Sequence, residues 1–334
     1  MSENNQQVRL AARPSGTPDA SVWDLTTEPV PTPGQGEFVV QISHISVDPA
    51  MRGWMNDMPS YIPPVELGAV MRAGAVGRVI ASEHPEFGEG EHVYAAFGVQ
   101  EFAVSDGSGV IKVDPSLAPL PTFLGALGLT GLTAYFGLLD VGKLKEGETV
   151  VVSGAAGAVG SIVGQIAKLK GCRAVGIAGG AEKCEWITEE LGFDAAIDYK
   201  AGDIRGALRQ ATPDRIDVYF DNVGGEILDA ALARLARGAR IVLCGGISQY
   251  NAERPSGPSN YLAMIAARAT MTGFLVFDFA DRYPEAIAEL AGWLAEGKLV
   301  SREHIVEGGV EAFPDALLKL FEGENTGKLV IACS

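Results

Sequence analysis

The chain has 334 residues, of which 47% are hydrophobic, and a formal net charge of −16. This length is sufficient for two domains with sizeable cores, and the strong negative charge argues against nucleic acid or an anionic membrane surface as a partner. No apolar run approaches the ~20 residues of a membrane helix and the first residues lack the apolar core of a signal peptide, so a cytoplasmic protein is expected.

The residues that most often bind metals are scattered. The four cysteines, Cys172, Cys184, Cys244 and Cys333, form no C-x-x-C pair, and the four histidines form no H-E-x-x-H or Cys/His cluster. Structural and catalytic zinc sites depend on such spacings. We therefore expect no metal site.

The first ~120 residues are rich in proline, glycine and short β-type runs, which predicts an all-β module, a small barrel or roll. The predicted strands are 37–43, 77–81, 90–97, 100–104 and 110–113. Between them, residues 48–65 form an apolar loop without a clear period. The polar tips of Trp54 and Tyr61 are as compatible with a pocket as with the core.

The middle of the chain alternates between strands and helices. After a small-residue helical segment at 123–139, strands are predicted at 150–152, 173–178, 195–198, 216–220 and 239–244, with helices at 159–167, 182–191, 204–210 and 226–237. Such alternation indicates βαβ units and a doubly wound parallel sheet. The fold class is therefore α/β, with a β-rich module preceding the parallel sheet.

The remaining elements are a strand, two helices and a final strand. Residues 270–277 are apolar enough to be an edge strand that pairs across a dimer, although a buried central strand is nearly as good an interpretation. Helices are predicted at 284–297 and 313–320, followed by a strand at 328–333. The last helix and strand could return to complete the first module.

The stretch Val150–Lys168 has the pattern of a buried strand, a tight turn and a helix. Its glycines, Gly154, Gly157 and Gly160, suit a turn whose backbone N–H groups and helix dipole hold a pyrophosphate. The fingerprint of dinucleotide-binding proteins is G-x-G-x-x-G, and here Ala155 replaces the first glycine. Alone, the motif is a weak signal, because any strand and helix can be joined by a small-residue turn.

The end of the second strand indicates which cofactor is used. An acidic side chain there would bind the ribose 2′-OH of NAD, but Ala178 is followed by two glycines, and Lys183 lies within the next turn. A lysine without a competing carboxylate favours the 2′-phosphate of NADP. Lys183 could instead be a solvated lysine paired with Glu182 or Glu185.

Two later strand ends fall at the same edge of the sheet, where ligands bind in open α/β folds. Asn222 could offer its amide to the cofactor, and Gly245 and Gly246 would let the backbone approach it. Tyr250 would place a phenol near the reacting ring, and Tyr199 could lie at the adenosine end or simply be a surface aromatic. Each feature is also compatible with ordinary turn chemistry.

Several motifs in order resemble the zinc-independent medium-chain dehydrogenase/reductases, and within them the prostaglandin reductase and alkenal/curcumin double-bond reductase group. They are SVDPAMRGWM at 46–55, SYIPP at 60–64, LGAVMRAGAVGRV at 67–79, GLTGLTAYFGL at 128–138, VSGAAGAVGSIVGQIAKLKGC at 152–172, FDNVGG at 220–225, CGGISQYN at 244–251 and NTGKLV at 325–330. The resemblance implies a GroES-like catalytic domain from residues 1–122 and 312–334, an NADP-binding Rossmann domain from 123–311, and a homodimer.

The resemblance also implies site residues. Cofactor contacts would come from Ala156, Gly157, Ala158, Val159, Lys183, Tyr199, Asn222, Cys244, Gly245, Gly246, Ile247, Ser248, Tyr250, Phe274, Leu275, Val276 and Asn325. Tyr250 and Tyr61 match the tyrosines that the family places at the substrate. Members of the curcumin reductase type often have S-V-D-P-Y-M-R-G, where this chain has Ala50. The preferred substrate therefore cannot be copied from the family.

The expected function is NADPH-dependent reduction of the C=C bond of α,β-unsaturated ketones and aldehydes. Besides these small molecules and a second copy of the chain, no partner is expected. Hydride would reach the β-carbon without a metal, and tyrosine and ribose hydroxyls would stabilise the enolate. A zinc-free quinone reductase is the alternative enzyme, and a nucleotide-binding protein without catalysis is the alternative class. A zinc-dependent alcohol dehydrogenase is disfavoured by the missing ligand spacings.

Overall fold

The chain folds as two compact units, each with buried hydrophobic residues of its own. In this computed structural model, which describes residues 4–333, the chain divides into two compact units. The first unit contains the residues up to 124 together with those from 303 onward, and the second contains residues 125–302.

The strands are numbered in chain order. They are β1 (Asn4–Leu10), β2 (Trp23–Pro29), β3 (Phe38–Ser46), β4 (Ala75–Ser82), β5 (His92–Ala95), β6 (Phe102–Ser105), β7 (Ile111–Val113), β8 (Thr149–Ser153), β9 (Arg173–Ala178), β10 (Ala195–Asp198), β11 (Ile216–Asp221), β12 (Leu235–Leu243), β13 (Thr270–Gly273), β14 (Glu303–Val306) and β15 (Lys328–Ala332).

The α-helices are numbered in the same way. They are α1 (Met51–Trp54), α2 (Leu129–Phe136), α3 (Ala158–Leu169), α4 (Ala181–Glu189), α5 (Ile204–Ala211), α6 (Gly225–Leu232), α7 (Ile247–Tyr250), α8 (Ala263–Ala267), α9 (Tyr283–Ala295) and α10 (Phe313–Glu322). Short 3-10 segments precede or follow several of them.

The first unit is β-rich, as the sequence predicts. Its main sheet has the order β14–β15–β3–β4–β5–β7, with β6 also paired with β3, and β1 and β2 form a separate antiparallel pair. The end of the chain returns to this sheet, because β15 pairs antiparallel with β3. Strand β14, which the sequence pattern does not reveal, pairs with β15. Its side chains are half-buried or exposed, so it carries no apolar alternation.

The second unit is a doubly wound α/β domain. Its six parallel strands have the order β10–β9–β8–β11–β12–β13. The chain therefore builds outward from β8 to one edge and then from β11 to the other, which is the Rossmann arrangement. Val150, Val151 and Val152 are fully buried, as expected of a central parallel strand covered on both faces. The boundary between β8 and β11 is the switch point where ligands bind in such sheets.

One predicted helix is too long. The pattern predicts a helix over 226–237, but α6 ends at Leu232 and β12 begins at Leu235. The reason is long-range pairing: Leu235 pairs with Ile216 of β11, and the Arg234 guanidinium donates to the carbonyl of Thr212 at 2.6 Å. Leu235 is buried in either conformation, so periodicity alone does not separate the two.

One predicted strand is also too long. The strand expected at 270–277 ends at Gly273, and a 3-10 helix begins at Val276. This strand, β13, is the last one of the sheet. Of the two alternatives that the sequence leaves open, the edge strand is therefore correct and the buried central strand is wrong.

Candidate active site

The candidate site lies at the carboxyl edge of the parallel sheet, around the switch point between β8 and β11. Ser153, the last residue of β8, donates a hydrogen bond from its hydroxyl to Oδ1 of Asp221, the last residue of β11, at 2.8 Å. The backbone N–H of Asn222 donates to the Ser153 hydroxyl oxygen at 2.8 Å. Polar contacts thus join the two strand ends on either side of the crevice.

Asp221 is buried and organises the loop after β11. Its Oδ1 atom also accepts hydrogen bonds from the Tyr219 hydroxyl at 3.0 Å and from the backbone N–H groups of Val223 at 3.1 Å and Gly224 at 3.0 Å. Burial and the neighbouring Asp221 charge raise the pKa of Tyr219 well above its usual value, so that phenol stays a proton donor. The sequence interpretation missed Asp221, although an acid that ends an apolar strand is a visible signal.

The glycine turn after β8 explains the departure from the fingerprint. The tight turn needs a residue in the left-handed region, and Gly154 supplies it with φ +60°. Ala155 is fully buried, and its N–H donates to the carbonyl of Ile177 at 3.0 Å. An alanine is therefore accommodated there, because the glycine of the turn stands one residue earlier.

Helix α3 begins where a pyrophosphate would sit. Gly157 is its N-cap and has no side chain to cap it, so the N–H groups of Ala158 and Val159 and the positive end of the dipole point to this place. A Cβ on Gly160 would lie 2.3 Å from the Gly154 carbonyl oxygen. Only glycine allows the helix to pack this closely on the turn. Ala156 is buried within the turn.

Tyr199 lies against the end of β9, at the edge where the sequence predicts the adenosine end of a cofactor, and its side chain is 41% exposed. A Cβ on Gly179, just after β9, would lie 2.9 Å from a ring carbon of Tyr199 and 3.0 Å from its hydroxyl oxygen. Gly180 has φ +95°, and its N–H donates to Asp198 Oδ1 at 2.8 Å. Tyr199 therefore lies against the glycines that end β9 rather than elsewhere on the surface.

Two lysines flank this end of the sheet. Lys183 lies in the first turn of α4, as predicted. Lys200, which the sequence interpretation missed, has its Cε atom 3.0 Å from the Cβ position of Gly179. Its place directly after Tyr199 is the signal that could have identified it.

The loop after β12 is hydrogen-bonded to the loop after β11. The N–H groups of Cys244 and Gly245 donate to the Asp221 carbonyl at 2.9 and 3.1 Å, and that of Ile247 donates to the Asn222 carbonyl at 3.2 Å. The Ser248 hydroxyl donates to the Val223 carbonyl at 2.6 Å. The structure thus brings together most residues that the sequence predicts for the nicotinamide side.

Tyr250 folds back over its own loop. Its hydroxyl oxygen accepts a hydrogen bond from the Gly246 N–H at 3.1 Å, and a Cβ on Gly245 would lie 3.0 Å from that oxygen. A phenol that accepts a hydrogen bond is polarised and becomes a better donor. Asn222 is held too, since its side-chain amide donates to the Ser153 carbonyl at 2.7 Å.

The thiol of Cys244 is not suited to nucleophilic chemistry. Burial and the nearby charge of Asp221 raise its pKa to about 12. A thiolate is the reactive form, and it is negligible at neutral pH with such a pKa. Cys244 is therefore a packing and backbone-contact residue.

The three predicted residues after β13, Phe274, Leu275 and Val276, differ in their burial. The ring of Phe274 packs against the Phe220 ring with 6.4 Å between centroids, and a Cβ on Gly137 would lie 2.6 Å from it. Val276 is buried, and the Leu275 carbonyl accepts the N–H of Asp278 at 3.1 Å. The Phe274 side chain is thus half-buried, with its ring packed against that of Phe220.

The remaining predicted residues lie in the first unit. Tyr61 is 47% exposed, and its hydroxyl accepts a hydrogen bond from Trp54 Nε1 at 2.8 Å. Asn325 is buried and donates from its side-chain amide to the Gly327 carbonyl at 2.9 Å. Ala50 precedes α1, and its carbonyl accepts the N–H of Trp54 at 3.2 Å. The exposure of Tyr61 argues against a core role.

The sequence leads us to expect neither a metal site nor a membrane-spanning helix. Among residues 4–333, no group of three or more His, Cys, Asp or Glu side chains is arranged to hold a metal ion. Within the same range, no helix is both long and apolar enough to cross a membrane.

Models of two known domain families match the chain. Residues 6–113 match the N-terminal domain of oxidoreductases, and residues 158–292 match the domain described as zinc-binding dehydrogenase. The matches fall on the β-rich unit and on the parallel sheet.

Relatives that the chain matches over nearly their full length are also oxidoreductases. The chain is 44% identical to the NADPH-dependent curcumin reductase of Escherichia coli (strain K12), over 98% of this chain and 97% of the relative. It is 38% identical to the NADP(+)-dependent 2-alkenal reductase of Nicotiana tabacum, over 99% and 98%. The crystal structure of CurA from Vibrio vulnificus in complex with NADPH superimposes with a TM-score of 0.93 at 47% identity, over 98% of this chain and 99% of that one.

Proposed function

This chain belongs to the medium-chain dehydrogenase/reductases, in the NADP-dependent prostaglandin, curcumin and alkenal reductase group, and we propose that it reduces the C=C bond of α,β-unsaturated ketones and aldehydes. The observation that carries the proposal is the Tyr250 hydroxyl, held by the Gly246 N–H on the loop after β12, which is hydrogen-bonded to the loop at the switch point. The proposal includes a metal-free reaction and a cytoplasmic location.

The residues present fit the cofactor. The close packing at Gly160 leaves the first turn of α3 open to a pyrophosphate, and Lys183 and Lys200 offer ammonium groups for a 2′-phosphate. When bound, NADPH supplies the hydride. In our proposal Asn222, the loop from Cys244 to Ser248, the backbone of Phe274, Leu275 and Val276, and Asn325 are further cofactor contacts.

Tyr250 has the chemistry that the reaction requires of the protein. Reduction at the β-carbon moves negative charge to the substrate's carbonyl oxygen, which becomes an enolate oxygen. We assign Tyr250 the role of hydrogen-bond donor to that oxygen, because its phenol is polarised by the bond that it accepts from Gly246. Since the donor is fixed before the reaction, it needs no reorganisation as charge develops.

Tyr61 is proposed as a second substrate contact. Its hydroxyl accepts the Trp54 indole N–H, which fixes the position of the phenol oxygen. It is also the exposed aromatic of an apolar loop, which suits contact with a small hydrophobic molecule.

The proposed activity is tested with 3-decen-2-one, a simple enone. Purified protein with NADPH should lose absorbance at the nicotinamide band when the enone is added, and the product should be 2-decanone. Turnover of quinones without any turnover of enones or enals would replace the proposal with a quinone reductase. Binding of NADPH without its oxidation by either class would indicate a nucleotide-binding protein.

A further inference from the structure

The carboxyl group of Asp221 is buried, and the loop around it uses only one of its two oxygens. The residue is 1% exposed and ends β11 at the switch point of the sheet. Its Oδ1 atom accepts all four hydrogen bonds described above, from Ser153, Tyr219, Val223 and Gly224. Oδ2 is buried as well, and within the described part of the chain it has no hydrogen-bond partner. The architecture of the loop therefore leaves half of this carboxyl group unexplained.

No basic side chain pairs with Asp221 among residues 4–333. The ion pairs found there involve other acidic residues. The four donors to Oδ1 are uncharged groups, which stabilise a negative charge without cancelling it. Burial and the charge of Asp221 also raise the pKa of Tyr219 and of Cys244, so neither neighbour is ionised at neutral pH. Within the described residues, the strand end thus holds a buried negative charge without a counter-charge.

This charge lies beside the loop that the sequence predicts at the nicotinamide end of the cofactor. The backbone carbonyl of Asp221 accepts the N–H groups of Cys244 and Gly245 at 2.9 and 3.1 Å. The carboxyl group is close enough to act on the Cys244 thiol, since its charge helps to raise the pKa of that thiol. Asn222, another proposed cofactor contact, is the next residue in the chain. A cofactor bound as proposed would therefore bring its reacting ring close to a buried carboxylate.

We propose that Asp221 tunes the redox state of the bound cofactor, because its carboxylate stabilises the positively charged nicotinamide ring of NADP+ relative to the neutral ring of NADPH. The ring gains one positive charge when the hydride leaves for the β-carbon of the substrate, and the enolate then takes a proton from solvent. Opposite charges attract strongly where water is excluded. The inference rests on the proposed function, since it depends on the proposed place of the nicotinamide.

Asp221→Asn separates the charge from the geometry of the loop. Asparagine keeps an oxygen that can accept the four hydrogen bonds, and it forms the same side-chain turns as aspartate. The amide nitrogen replaces the unpartnered Oδ2, and the negative charge is lost. If Asp221 only shaped the loop, this substitution would change the affinities for both cofactor forms by the same factor.

Isothermal titration calorimetry measures the dissociation constants of NADP+ and NADPH for each protein. The ratio of the NADP+ constant to the NADPH constant should rise at least tenfold in Asp221→Asn, which corresponds to an increase of ~30 mV in the potential of the bound two-electron couple. A general weakening of cofactor binding cancels from this ratio. Asp221→Ser also removes the charge and should raise the ratio in the same direction. If neither uncharged variant folds, the carboxyl group is a requirement of the fold and the inference fails.

Two variants serve as controls. Asp217→Asn removes a charge from the same strand, four residues or ~13 Å before Asp221, where the carboxyl accepts the Thr149 N–H at 2.9 Å. Ser153→Ala removes one donor to Oδ1 and leaves the charge in place. The ratio should change less than threefold in both. An unchanged ratio in Asp221→Asn, or an equal change in either control, would overturn the inference.

The titrations need no enone, so they separate this inference from the proposed reaction. If the ratio shifts in Asp221→Asn while the wild-type protein reduces no enone, the role of Asp221 stands and the proposed reaction fails. If enones are reduced but Asp221→Asn has the ratio of the wild type, the role of Asp221 fails alone.

Discussion

Tyr250 owes its position to two glycines of its own loop. A Cβ at Gly245 would make a tight contact, 3.0 Å, with the phenol oxygen, and the Gly246 N–H is the donor that fixes that oxygen. The loop is in turn tied to the carbonyl groups of Asp221 and Asn222. One backbone hydrogen bond thus fixes the phenol of the proposed donor and others fix its loop, so the site avoids the cost of ordering its donor during the reaction.

Tyr250→Phe should lower kcat/KM for 3-decen-2-one by ~10²–10³, the usual effect of removing an oxyanion-hole donor. The dissociation constant of NADPH should change far less, since the substitution removes only the hydroxyl. Tyr261→Phe is the matched control, because Tyr261 is 60% exposed in the same unit and has no proposed role. Steady-state kinetics check both variants, and full activity of Tyr250→Phe would remove Tyr250 from the mechanism.

Lys200 and Lys183 should both contribute to the preference for NADPH over NADH. Replacing either by Met should raise the dissociation constant of NADPH about tenfold, as expected for the loss of one charge-assisted hydrogen bond worth ~1.5 kcal/mol. NADH lacks the 2′-phosphate, and its affinity serves as the internal control. Fluorescence titration measures the dissociation constants of NADPH and NADH for each of the two lysine variants. An equal loss of NADH affinity would show that the lysine acts on the fold and not on the phosphate.

At the scale of elements, the turn between β8 and α3 positions the cofactor-binding edge. Gly160→Ala would place a carbon 2.3 Å from the Gly154 carbonyl oxygen, so α3 must move away from the strand. NADPH affinity should fall at least tenfold and the melting temperature should drop, because the first turn of the helix no longer faces the same point.

The control for Gly160→Ala is Gly292→Ala, in the middle of α9. No atom lies within 4 Å of a Cβ at Gly292, so alanine should stabilise the helix by ~0.5–1 kcal/mol. Calorimetry gives the melting temperatures of Gly160→Ala and Gly292→Ala with and without NADPH, and these distinguish the two variants. The interpretation of the turn would be wrong if Gly160→Ala bound NADPH as tightly as the wild type.

Elements whose pattern is local could be predicted from the sequence. Strands β9 and β10 were predicted with the bounds that the structure shows, because each is a short apolar run between turn residues. The boundary between α6 and β12 was not, since the pairing of Leu235 with Ile216 joins residues distant in sequence. Strand β14 was missed for a related reason: it is defined by its partner β15 and not by its own alternation.

The residues of the candidate site likewise divide into those that could be predicted from the sequence and those that could not. Gly157, Asn222, Gly245 and Tyr250 could be found, since glycine-rich turns after predicted strands mark the carboxyl edge of a parallel sheet. Asp221 and Lys200 each have a signal in the sequence, an acid that ends a strand and a lysine beside Tyr199, but only the structure shows the partners that give them their importance. The packing of Phe274 could not be foreseen either, as only the structure shows that its ring contacts that of Phe220.

For the whole molecule, the predicted homodimer remains a proposal that the edge of the parallel sheet supports. β13 ends the sheet and α8, which packs beside β12, exposes Leu262 at 62% and Ile265 at 74%. An unpaired strand edge next to apolar side chains invites a second copy. Light scattering should give a mass of about twice 35.0 kDa, and Leu262→Lys with Ile265→Lys should reduce it to that of one chain. An unchanged mass in the double variant would place the interface elsewhere.

Isotope transfer shows which carbon of the substrate receives the hydride. The enzyme is supplied with 3-decen-2-one and NADPH that carries deuterium at the transferable position of the nicotinamide. We expect 2-decanone with one deuterium at C4, the β-carbon of the enone. Deuterium at the carbonyl carbon, in an allylic alcohol that retains the double bond, would rule out reduction of the C=C bond.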